Sequence, residues 1–510
     1  MKTKYISKLT AVITALVMIL MMTSLAVTAS AATYDTANAT SFVFSDSGIA
    51  VSEGAYTGYK VSGTALTLNG AGTYIVSGTC SNGTIVVKKN VTGVTLVLNG
   101  LTLSASATAP ITCNKGSGVT IVAAAGTVNN LSDDKYNNDD IYTDETLYPD
   151  IENAVIKCKD GSNVTISGTG TINVTANGKN GVKGGYDWYE EDDDGNATDT
   201  LLSTASLTIE NVTLNIVCNV NDGLKSDKLL NITSGNITVS AVDDGIKSDY
   251  VLNIGKEGTA GPTIKVTKAT EGIEGAQVNI YSGNVCVNAT DDGINAANGD
   301  IAERSADFTY NQYGGYVYIN VTNGDGIDSN GSATLSGGTL EVYAPNQGDG
   351  DPIDTEYGCT FSGATVLAVG HAMMQQSYAG TYVEFGGGTG GMMGGMGGNS
   401  GGNIVTAGQT ITVTDASGGT VYTAKSASPR AASCVVFASP ALTSGGSYTL
   451  NGSTTATAGA SSGGNMGPGG QGGFPGQNGE GIASGFGSIL AWIRNLFERI
   501  VSFFRSIFQK

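Results

Sequence analysis

A short phrase recurs along the middle of the chain, and its spacing constrains the fold more than any other feature. The clear copies are Asp222-Gly223-Leu224-Lys225, Asp244-Gly245-Ile246-Lys247, Glu271-Gly272-Ile273-Glu274, Asp292-Gly293-Ile294-Asn295 and Asp325-Gly326-Ile327-Asp328, with weaker copies at 180–184 and 351–355. Their aliphatic positions are separated by 42, 22, 27, 21, 33 and 26 residues. Repeats with a period of about 20 to 50 residues indicate a stacked architecture.

The shorter steps suit one rung of a parallel β-helix, because they are too short for paired helices and too long for a nonapeptide calcium roll. Between the copies, short runs rich in Val, Ile and Thr are bounded by Gly and Asn, which is the strand signal. The longer steps predict loop insertions at 185–203 and 298–315. Glycine, with 75 residues, is expected to supply corners of positive φ. The predicted fold is all-β, with one buried aliphatic column formed by Val182, Leu224, Ile246, Ile273, Ile294, Ile327 and Ile353.

Both ends of the chain differ in composition from the middle. Lys2, Lys4 and Lys8 precede an apolar run at 11–27 and small residues at 29–31. This pattern predicts a cleaved signal peptide at 1–31 and a secreted protein, with an uncleaved anchor as the alternative. The remaining boundaries are a β-helix domain at 32–385, a Gly/Met-rich loop at 386–403, a β segment of the same domain at 404–455, a Gly-rich linker at 456–485 and a basic amphipathic helix at 486–510.

The helix predicted at 486–510 has apolar residues at helical spacing and a basic remainder. Such a helix is typical of attachment to a membrane surface, an envelope or a partner. A cap on the end of the β-helix is the alternative. Attachment would keep the secreted protein at the cell surface.

Charge and cysteine usage exclude several classes of function. The formal net charge is −19, from 44 acidic and 25 basic residues. This balance argues against nucleic acid and anionic membrane as partners of the main body, and it favours divalent cations. The seven cysteines have no CxxC spacing, which argues against zinc and favours buried single thiols.

The acidic residues of the motif predict a metal site. Rungs of a parallel stack lie about 4.8 Å apart, so acidic residues at equal positions would form a column of mutually repelling carboxylates. Calcium is the metal that fits best, because it collects six to eight oxygen ligands. Asp-Gly as ordinary turn chemistry is the alternative. The candidate calcium ligands are Asp222, Asp243, Asp244, Glu271, Asp291, Asp292, Asp325 and Asp328.

Lysines and aromatic residues predict a surface for an acidic sugar polymer. Lys183, Lys225 and Lys247 each follow a buried aliphatic residue, so strand alternation turns them outward. Such lysines can pair with uronate carboxylates, or they can form salt bridges on a solvated face. Tyr186, Trp188 and Tyr189 lie in the first insertion and can stack on sugar rings. A second set of tyrosines, for which stacking and packing both remain open, comprises Tyr310, Tyr313, Tyr316 and Tyr318.

These motifs, together with 94–100, 130–133, Ser439-Pro440 and 448–450, resemble a bacterial family of secreted carbohydrate-binding β-helix proteins over roughly 40–452. The resemblance implies a right-handed parallel β-helix, bound calcium, and affinity for cellulose and for pectin-type acidic sugars. It also implies kinship of shape with polysaccharide lyase family nine. That lyase's calcium and base residues would correspond to Asp222, Asp243 and Asp244, with Lys225 or Lys247 as the base.

Three functions follow from these observations. The first is a calcium-loaded module that binds plant cell-wall polysaccharide without cleaving it and has no catalytic residue. It is favoured because the motif copies are many and nearly equivalent. The second is a calcium-dependent pectate-type lyase acting by β-elimination, in which Lys225 or Lys247 removes the proton. The third is a structural adhesin of the cell surface.

Overall fold

The computed structural model describes residues 34, 36–192, 195–298, 307–348, 350–371, 377–386 and 402–461. The predicted signal peptide at 1–31 and helix at 486–510 lie outside these residues, as does most of the loop predicted at 386–403. The described residues form β-strands and no helix, so the all-β prediction is confirmed for them. It follows that they contain no helical segment long and apolar enough to cross a membrane.

The repeated motif builds one ladder of parallel strands, here named the motif ladder. Its strands are β4 (Ala65–Leu68), β6 (Thr84–Val87), β8 (Ile111–Cys113), β11 (Ala154–Cys158), β14 (Asn180–Gly184), β19 (Leu224–Ser226), the first parts of β22 (Ile246–Ile254) and β24 (Ile273–Ile280), β26 (Ile294–Ala296), β29 (Ile327–Ser329) and β32 (Asp354–Thr355). The motif aliphatic residues lie opposite one another in neighbouring strands. The same column begins earlier than the sequence predicted, at Leu66, Ile85, Ile111 and Ile156.

Two further ladders accompany the motif ladder. The second ladder contains β5 (Gly72–Cys80), β7 (Val94–Ser104), β9 (Gly118–Ala123), β12 (Asn163–Gly168), β17 (Ser206–Ile209), β20 (Leu229–Ile232), the later parts of β22 and β24, β27 (Thr309–Gln312), β30 (Ser332–Leu335), β33 (Cys359–Phe361) and β35 (Tyr378–Phe385). The third ladder contains the end of β7, β10 (Val128–Ser132), β13 (Thr171–Ala176), β18 (Thr213–Cys218), β21 (Asn236–Ser240), β23 (Thr263–Lys268), β25 (Asn284–Ala289), β28 (Tyr316–Val321), β31 (Thr339–Tyr343) and β34 (Thr365–Gly370).

From β8 to β34 the chain visits the motif, second and third ladders in that order and then returns to the motif ladder one strand further along. Within this region the pairings along the ladders are parallel. Strand alternation sends one set of side chains inward, and these residues form one continuous apolar cluster. The predicted aliphatic column from Val182 to Ile353 belongs to this cluster, and each of its members is 0% exposed. Burying each such side chain contributes about 1.5 to 3 kcal/mol.

The remaining strands lie at the two ends and in one insertion. The N-terminal strands are β1 (Thr40–Ser45), β2 (Gly48–Ser52) and β3 (Tyr59–Ser62), and β15 (Trp188–Glu191) and β16 (Ala197–Ser203) form an antiparallel hairpin inside the insertion predicted at 185–203. The C-terminal strands are β36 (Thr410–Asp415), β37 (Thr420–Ala427), β38 (Cys434–Ala438), β39 (Ser447–Leu450), β40 (Thr454–Thr457) and β41 (Gly459–Ser461). The last of these lies beyond the predicted domain end at 455.

Cysteines and one tyrosine add to the interior. Six of the seven cysteines are buried, Cys286 is half-buried, and all are free thiols. Cys113 and Cys158 lie opposite each other in the motif ladder. Tyr310 is 0% exposed, so this member of the second tyrosine set packs in the core and does not face a sugar.

Candidate functional site

Backbone hydrogen bonds hold the acidic residues of the motif in register. The amide of each motif glycine donates to the carbonyl oxygen of the acidic residue in the next copy, as from Gly223 to Asp244 at 2.9 Å and from Gly272 to Asp292 at 2.8 Å. The same contact links Gly326 to Asp351 at 2.8 Å. The acidic residues therefore follow one another along a single edge of the motif ladder.

Close packing, and not an unusual backbone angle, explains the glycine of the motif. A Cβ on Gly272 would lie 2.1 Å from Cγ1 of Val287 and 2.5 Å from the carbonyl oxygen of Gly293. None of the motif glycines is among the residues with positive φ, whereas turn glycines such as Gly126 are. The expectation that glycine supplies positive-φ corners holds at those turns, and the glycine of the motif has a different role. In the motif, glycine lets consecutive strands approach a neighbouring side chain and carbonyl.

The outward position after each motif aliphatic residue forms a second column whose charge changes sign along the ladder. Its members in register are Lys157, Lys183, Lys225, Lys247, Glu274, Asn295, Asp328 and Asp354. The first four carry ammonium groups, and the last four carry carboxylates or an amide. We name the first four the lysine half, and we name the last four, together with the adjacent motif residues Asp291, Asp292 and Asp325, the acidic half.

In the lysine half, each predicted carbohydrate-binding lysine contacts a carboxylate. Lys183 Nζ lies 3.4 Å from Asp227, and Lys225 Nζ lies 3.6 Å from Asp249. Lys247 Nζ lies 2.8 Å from Asp244 and 2.5 Å from Glu274. Each side chain is still about one fifth exposed, at 18% for Lys225 and 22% for the other two. The lysines thus have partners within the protein and also reach solvent.

Electrostatics keeps two of these lysines charged. Burial alone would lower the pKa of Lys225, but the nearby carboxylates of Asp222 and Asp249 outweigh it and raise that pKa. The same balance raises the pKa of Lys247 above its ordinary value. Lys157 differs, because burial and the neighbouring ammonium of Lys183 lower its pKa. Sequence reasoning missed Lys157 because no acidic residue and glycine precede it, although its aliphatic-lysine pair matches the later copies.

In the acidic half, carboxylates repel one another with little compensation. Burial, together with the neighbouring carboxylates of Asp292, Asp328 and Asp354, raises the pKa of Asp325 to about 8. Burial is also the main cause that raises the pKa of Asp292 and of Asp328 to about 6. At neutral pH this half of the column therefore favours a bound cation or proton.

Two features of the acidic half fit a hard cation. The Oδ1 atoms of Asp291 and Asp292 converge over Gly324, where an added Cβ would lie 2.3 Å and 2.5 Å from them. Asn295 is 9% exposed, and its buried Oδ1 has no hydrogen-bond partner among the described residues, although its Nδ2 donates to Glu271 at 2.9 Å. Carboxylate and amide oxygens are the ligands that calcium prefers. Sequence reasoning passed over Asn295 because it is uncharged, but its place in the motif was a usable signal.

The two tightest groups of carboxylates lie beside Lys225 and Lys247, where the lysine half meets the acidic half. Oxygens of Asp222, Asp243 and Asp244 lie within 4.8 Å of one another, as do oxygens of Asp244, Glu271 and Glu274. The second group already surrounds the ammonium of Lys247, which contacts Asp244 and Glu274. Because an ammonium already compensates that charge, the acidic half is the better candidate for calcium. Of the predicted ligands, Asp291, Asp292, Asp325 and Asp328 lie on this side, and Glu271 lies at the boundary, where it belongs to the second tight group and accepts a hydrogen bond from Asn295.

The predicted aromatic residues are divided between two places. The hydroxyl of Tyr186 donates to Asp249 at 2.9 Å, which joins this ring to the lysine half. Trp188 lies instead beneath Lys89, whose Nζ is 4.3 Å from the ring centroid. Tyr189 is half-buried on the same hairpin strand as Trp188. Tyr186 is therefore the aromatic residue best placed to act with the lysines.

The raised pKa values give a prediction for stability in the absence of metal. The unfolded pKa of an aspartate is about 4, so between about pH 4 and 8 the folded acidic half binds more protons than the unfolded chain. Stability must then fall as pH rises through this window. We expect the chelated protein to lose on the order of 2 kcal/mol of unfolding free energy between about pH 5 and pH 8. Urea unfolding at both values checks this, and higher stability at pH 8 would contradict it.

Comparisons with known proteins agree in part with the resemblance. Residues 62–188 and 185–260 match the model of a family described as carbohydrate-binding domain-containing protein. No curated protein sequence matches the chain. A solved structure of a polysaccharide lyase-like protein from C. thermocellum, in a gadolinium derivative, is 22% identical over 64% of this chain and 93% of that one, with a TM-score of 0.32. The family match includes the lysine half up to Lys247 and supports carbohydrate binding as the general class of function.

Proposed function

We propose that the protein is a secreted, calcium-dependent module that binds plant cell-wall polysaccharide, both cellulose and acidic pectin-type glycans, and does not cleave it. The observation that carries the proposal is the outward column of the motif ladder, in which partly exposed lysine side chains adjoin a carboxylate cluster with an amide oxygen that has no partner among the described residues. The family match to carbohydrate-binding domains supports the same class of ligand. Retention at the cell surface through 486–510 is part of the proposal.

The architecture in this proposal is a right-handed parallel β-helix. Its support is the order in which the chain visits the three ladders and the single cluster that their inward residues form. Connections between parallel strands of one sheet are right-handed in nearly all proteins, because strand twist favours that hand. In a β-helix the charged column would lie along one face, and a long polymer could bind along its length.

Each half of the column has a separate task in binding. The tips of Lys183, Lys225 and Lys247 would donate hydrogen bonds to uronate carboxylates, and charge-assisted bonds of this kind are stronger than neutral ones. Glu271, Asp291, Asp292, Asn295 and Asp328 would hold calcium through carboxylate and amide oxygens. Calcium bound there supplies open coordination positions to an anionic sugar. The hydroxyl of Tyr186 fixes Asp249 beside Lys225, and the exposed part of this residue, which is 39% exposed, would contact a sugar.

The ion pairs of the lysines favour binding over cleavage. A lysine that removes a proton must be neutral when the substrate arrives. Lys225 forms ion pairs with three carboxylates and Lys247 with two, which favours the charged form of each lysine. The pectate-type lyase with one of these lysines as base stays the second candidate because the charged column suits both functions.

The test is a titration with oligogalacturonate in calcium buffer, repeated after chelation. We expect binding by the native protein that chelation abolishes, and about tenfold weaker binding for Lys183→Gln, since a hydrogen bond to a charged group contributes about 1.5 kcal/mol or more. Lys265→Gln is the matched control, because Lys265 is an exposed lysine of the third ladder.

Three outcomes of this titration would change the proposal. Equal binding by Lys183→Gln and the native protein would remove the lysine half from the site. Binding that survives chelation would remove calcium. The appearance of unsaturated uronate absorbance during incubation with polygalacturonate would replace binding with lyase activity.

A further inference from the structure

Lys157 is the first charged residue of the outward column on the motif ladder. Its partner in the next strand is Lys183, whereas the column continues in the preceding strands through Thr112, Val86 and Thr67, which carry no charge. Lys157 is half-buried, so part of its side chain reaches solvent. An acidic chain bound along the lysine half would therefore have one of its ends beside Lys157.

Lys157 also differs from the later lysines of the column in its ion pairs. Each of those three lysines has at least one carboxylate within 4.0 Å of its Nζ. Lys157 forms no ion pair with any residue that the structure describes. Two acids in its surroundings are already paired with other lysines, Asp227 with Lys183 at 3.4 Å and Glu152 with Lys159 at 2.7 Å. No carboxylate therefore holds Lys157 in its charged form.

These surroundings favour the neutral amine of Lys157. Burial removes water from its ammonium form, and the ammonium of Lys183 repels a second positive charge, so both lower the pKa of Lys157. The negative charges of Asp227, Glu152 and Cys158 act in the opposite direction but do not outweigh them. A lysine amine is nucleophilic only when it is neutral, and burial or a neighbouring cation activates lysines that form imines with carbonyl compounds.

We propose that Lys157 is a nucleophile that forms an imine with an aldehyde bearing an acid group. The inference rests on the proposed binding of acidic glycans, because the terminal sugar of such a chain opens to an aldehyde. Nζ attacks the aldehyde carbon, the aldehyde oxygen leaves as water with the two protons of the amine, and a C=N bond remains. The step needs no oxidant or reductant, and water reverses it. Lys183 would hold the carboxylate of the terminal sugar and so orient its aldehyde toward Lys157.

The position of Lys157 argues against a role as the base of a lyase. Glu274, the first member of the acidic half along the column, is four strands away from Lys157. At a strand spacing of about 4.8 Å this separation is about 19 Å. A base must lie within hydrogen-bond reach of the proton that it removes, and calcium would acidify a proton on the sugar that it binds. A covalent bond to the end of the chain needs no such metal.

The test measures how fast glyoxylate, a small aldehyde that carries a carboxylate, labels the lysines of the native protein. Cyanoborohydride reduces the imines, and mass spectrometry of the peptides assigns them. At pH 7 we expect Lys157 to be labelled at least about threefold faster than Lys265, because its surroundings leave more of the amine neutral. Lys265 is the matched control, since it is an exposed lysine of the third ladder. Acetaldehyde, which has no carboxylate, should show a smaller preference for Lys157.

Two variants assign the roles of the lysine pair. Lys157→Arg keeps a cation at this position but cannot form an imine, so the fast-labelled peptide should disappear. Lys183→Gln removes both the neighbouring charge and the group that would hold the carboxylate. Labelling of Lys157 by glyoxylate should therefore slow by at least about threefold in this variant. Reduction of the native protein with oligogalacturonate should attach one chain to Lys157.

The outcomes separate this inference from the proposed function. If glyoxylate labels Lys157 preferentially but oligogalacturonate does not bind, the acidic-glycan proposal is wrong and the nucleophile stands. If oligogalacturonate binds but glyoxylate labels Lys157 no faster than Lys265, the nucleophile is wrong and the proposed function stands. If oligogalacturonate binds and reduction attaches no chain to Lys157, the end of the chain does not reach this lysine, and its covalent capture is overturned.

Discussion

Gly272→Ala is expected to lower the free energy of unfolding by about 3 kcal/mol or more, in the range of severe overpacking. The new methyl group would meet Cγ1 of Val287 at 2.1 Å and the carbonyl oxygen of Gly293 at 2.5 Å. The valine is part of the buried core and the carbonyl belongs to the next motif copy, so neither can move without displacing a strand. Urea unfolding of the variant and the native protein measures the difference.

Gly459→Ala is the matched control for this prediction. Gly459 lies in the C-terminal strand β41, does not have a positive φ, and has no atom of the described residues within 4 Å of an added Cβ. It should unfold within about 0.5 kcal/mol of the native protein. Similar unfolding midpoints for Gly272→Ala and Gly459→Ala would mean that the motif glycines are not required by packing.

The sequence was sufficient to predict the aliphatic column and its register. A motif that repeats at about one rung places equivalent residues opposite one another, and one-residue slips would turn the aliphatic side chains outward. The column from Leu66 to Ile156 was missed because those strands lack the acidic residue and glycine that made the later copies visible. A search for aliphatic residues alone would have found them, at the cost of many false matches.

The chemistry of the column was harder to predict than its position. Strand alternation correctly turned Lys225 outward, but it did not indicate that Asp249, from the next strand, would lie 3.6 Å from its Nζ. Which acid reaches which base depends on side-chain direction across strands, and sequence order does not give this. The sequence also shows that the residue after the motif aliphatic changes from lysine at Lys247 to glutamate at Glu274, and this change could have been used to divide the predicted metal ligands. It divides the predicted metal ligands into a compensated group and an uncompensated one.

Calcium is expected to stabilise the native protein and to reverse the fall of stability with pH. A ligand that binds only the folded state at 100 times its dissociation constant adds about 2.7 kcal/mol to the free energy of unfolding. Bound calcium would also offset the repulsion that raises the pKa of Asp325 to about 8, so carboxylates would stay ionised at neutral pH. Urea unfolding at pH 8 with calcium and with chelator measures both effects. No difference between the two conditions would remove calcium from the proposed function.

Asp328→Asn should separate the role of the carboxylate as a calcium ligand from its role in repulsion. Asp328 lies near the carboxylates of Asp354, Glu271 and Asp291, which help to raise its pKa to about 6. Removing its charge relieves repulsion, so the chelated variant should be more stable than the chelated native protein by about 1 kcal/mol. The variant should also gain less stability from calcium, because one ligand has lost its charge. The order of stability therefore reverses when calcium is added.

Asp199→Asn, on the exposed hairpin strand β16, is the control and should match the native protein in both conditions. If Asp328→Asn gains as much from calcium as the native protein, the ion binds elsewhere, and the carboxylates of Asp222, Asp243 and Asp244 become the next group to test.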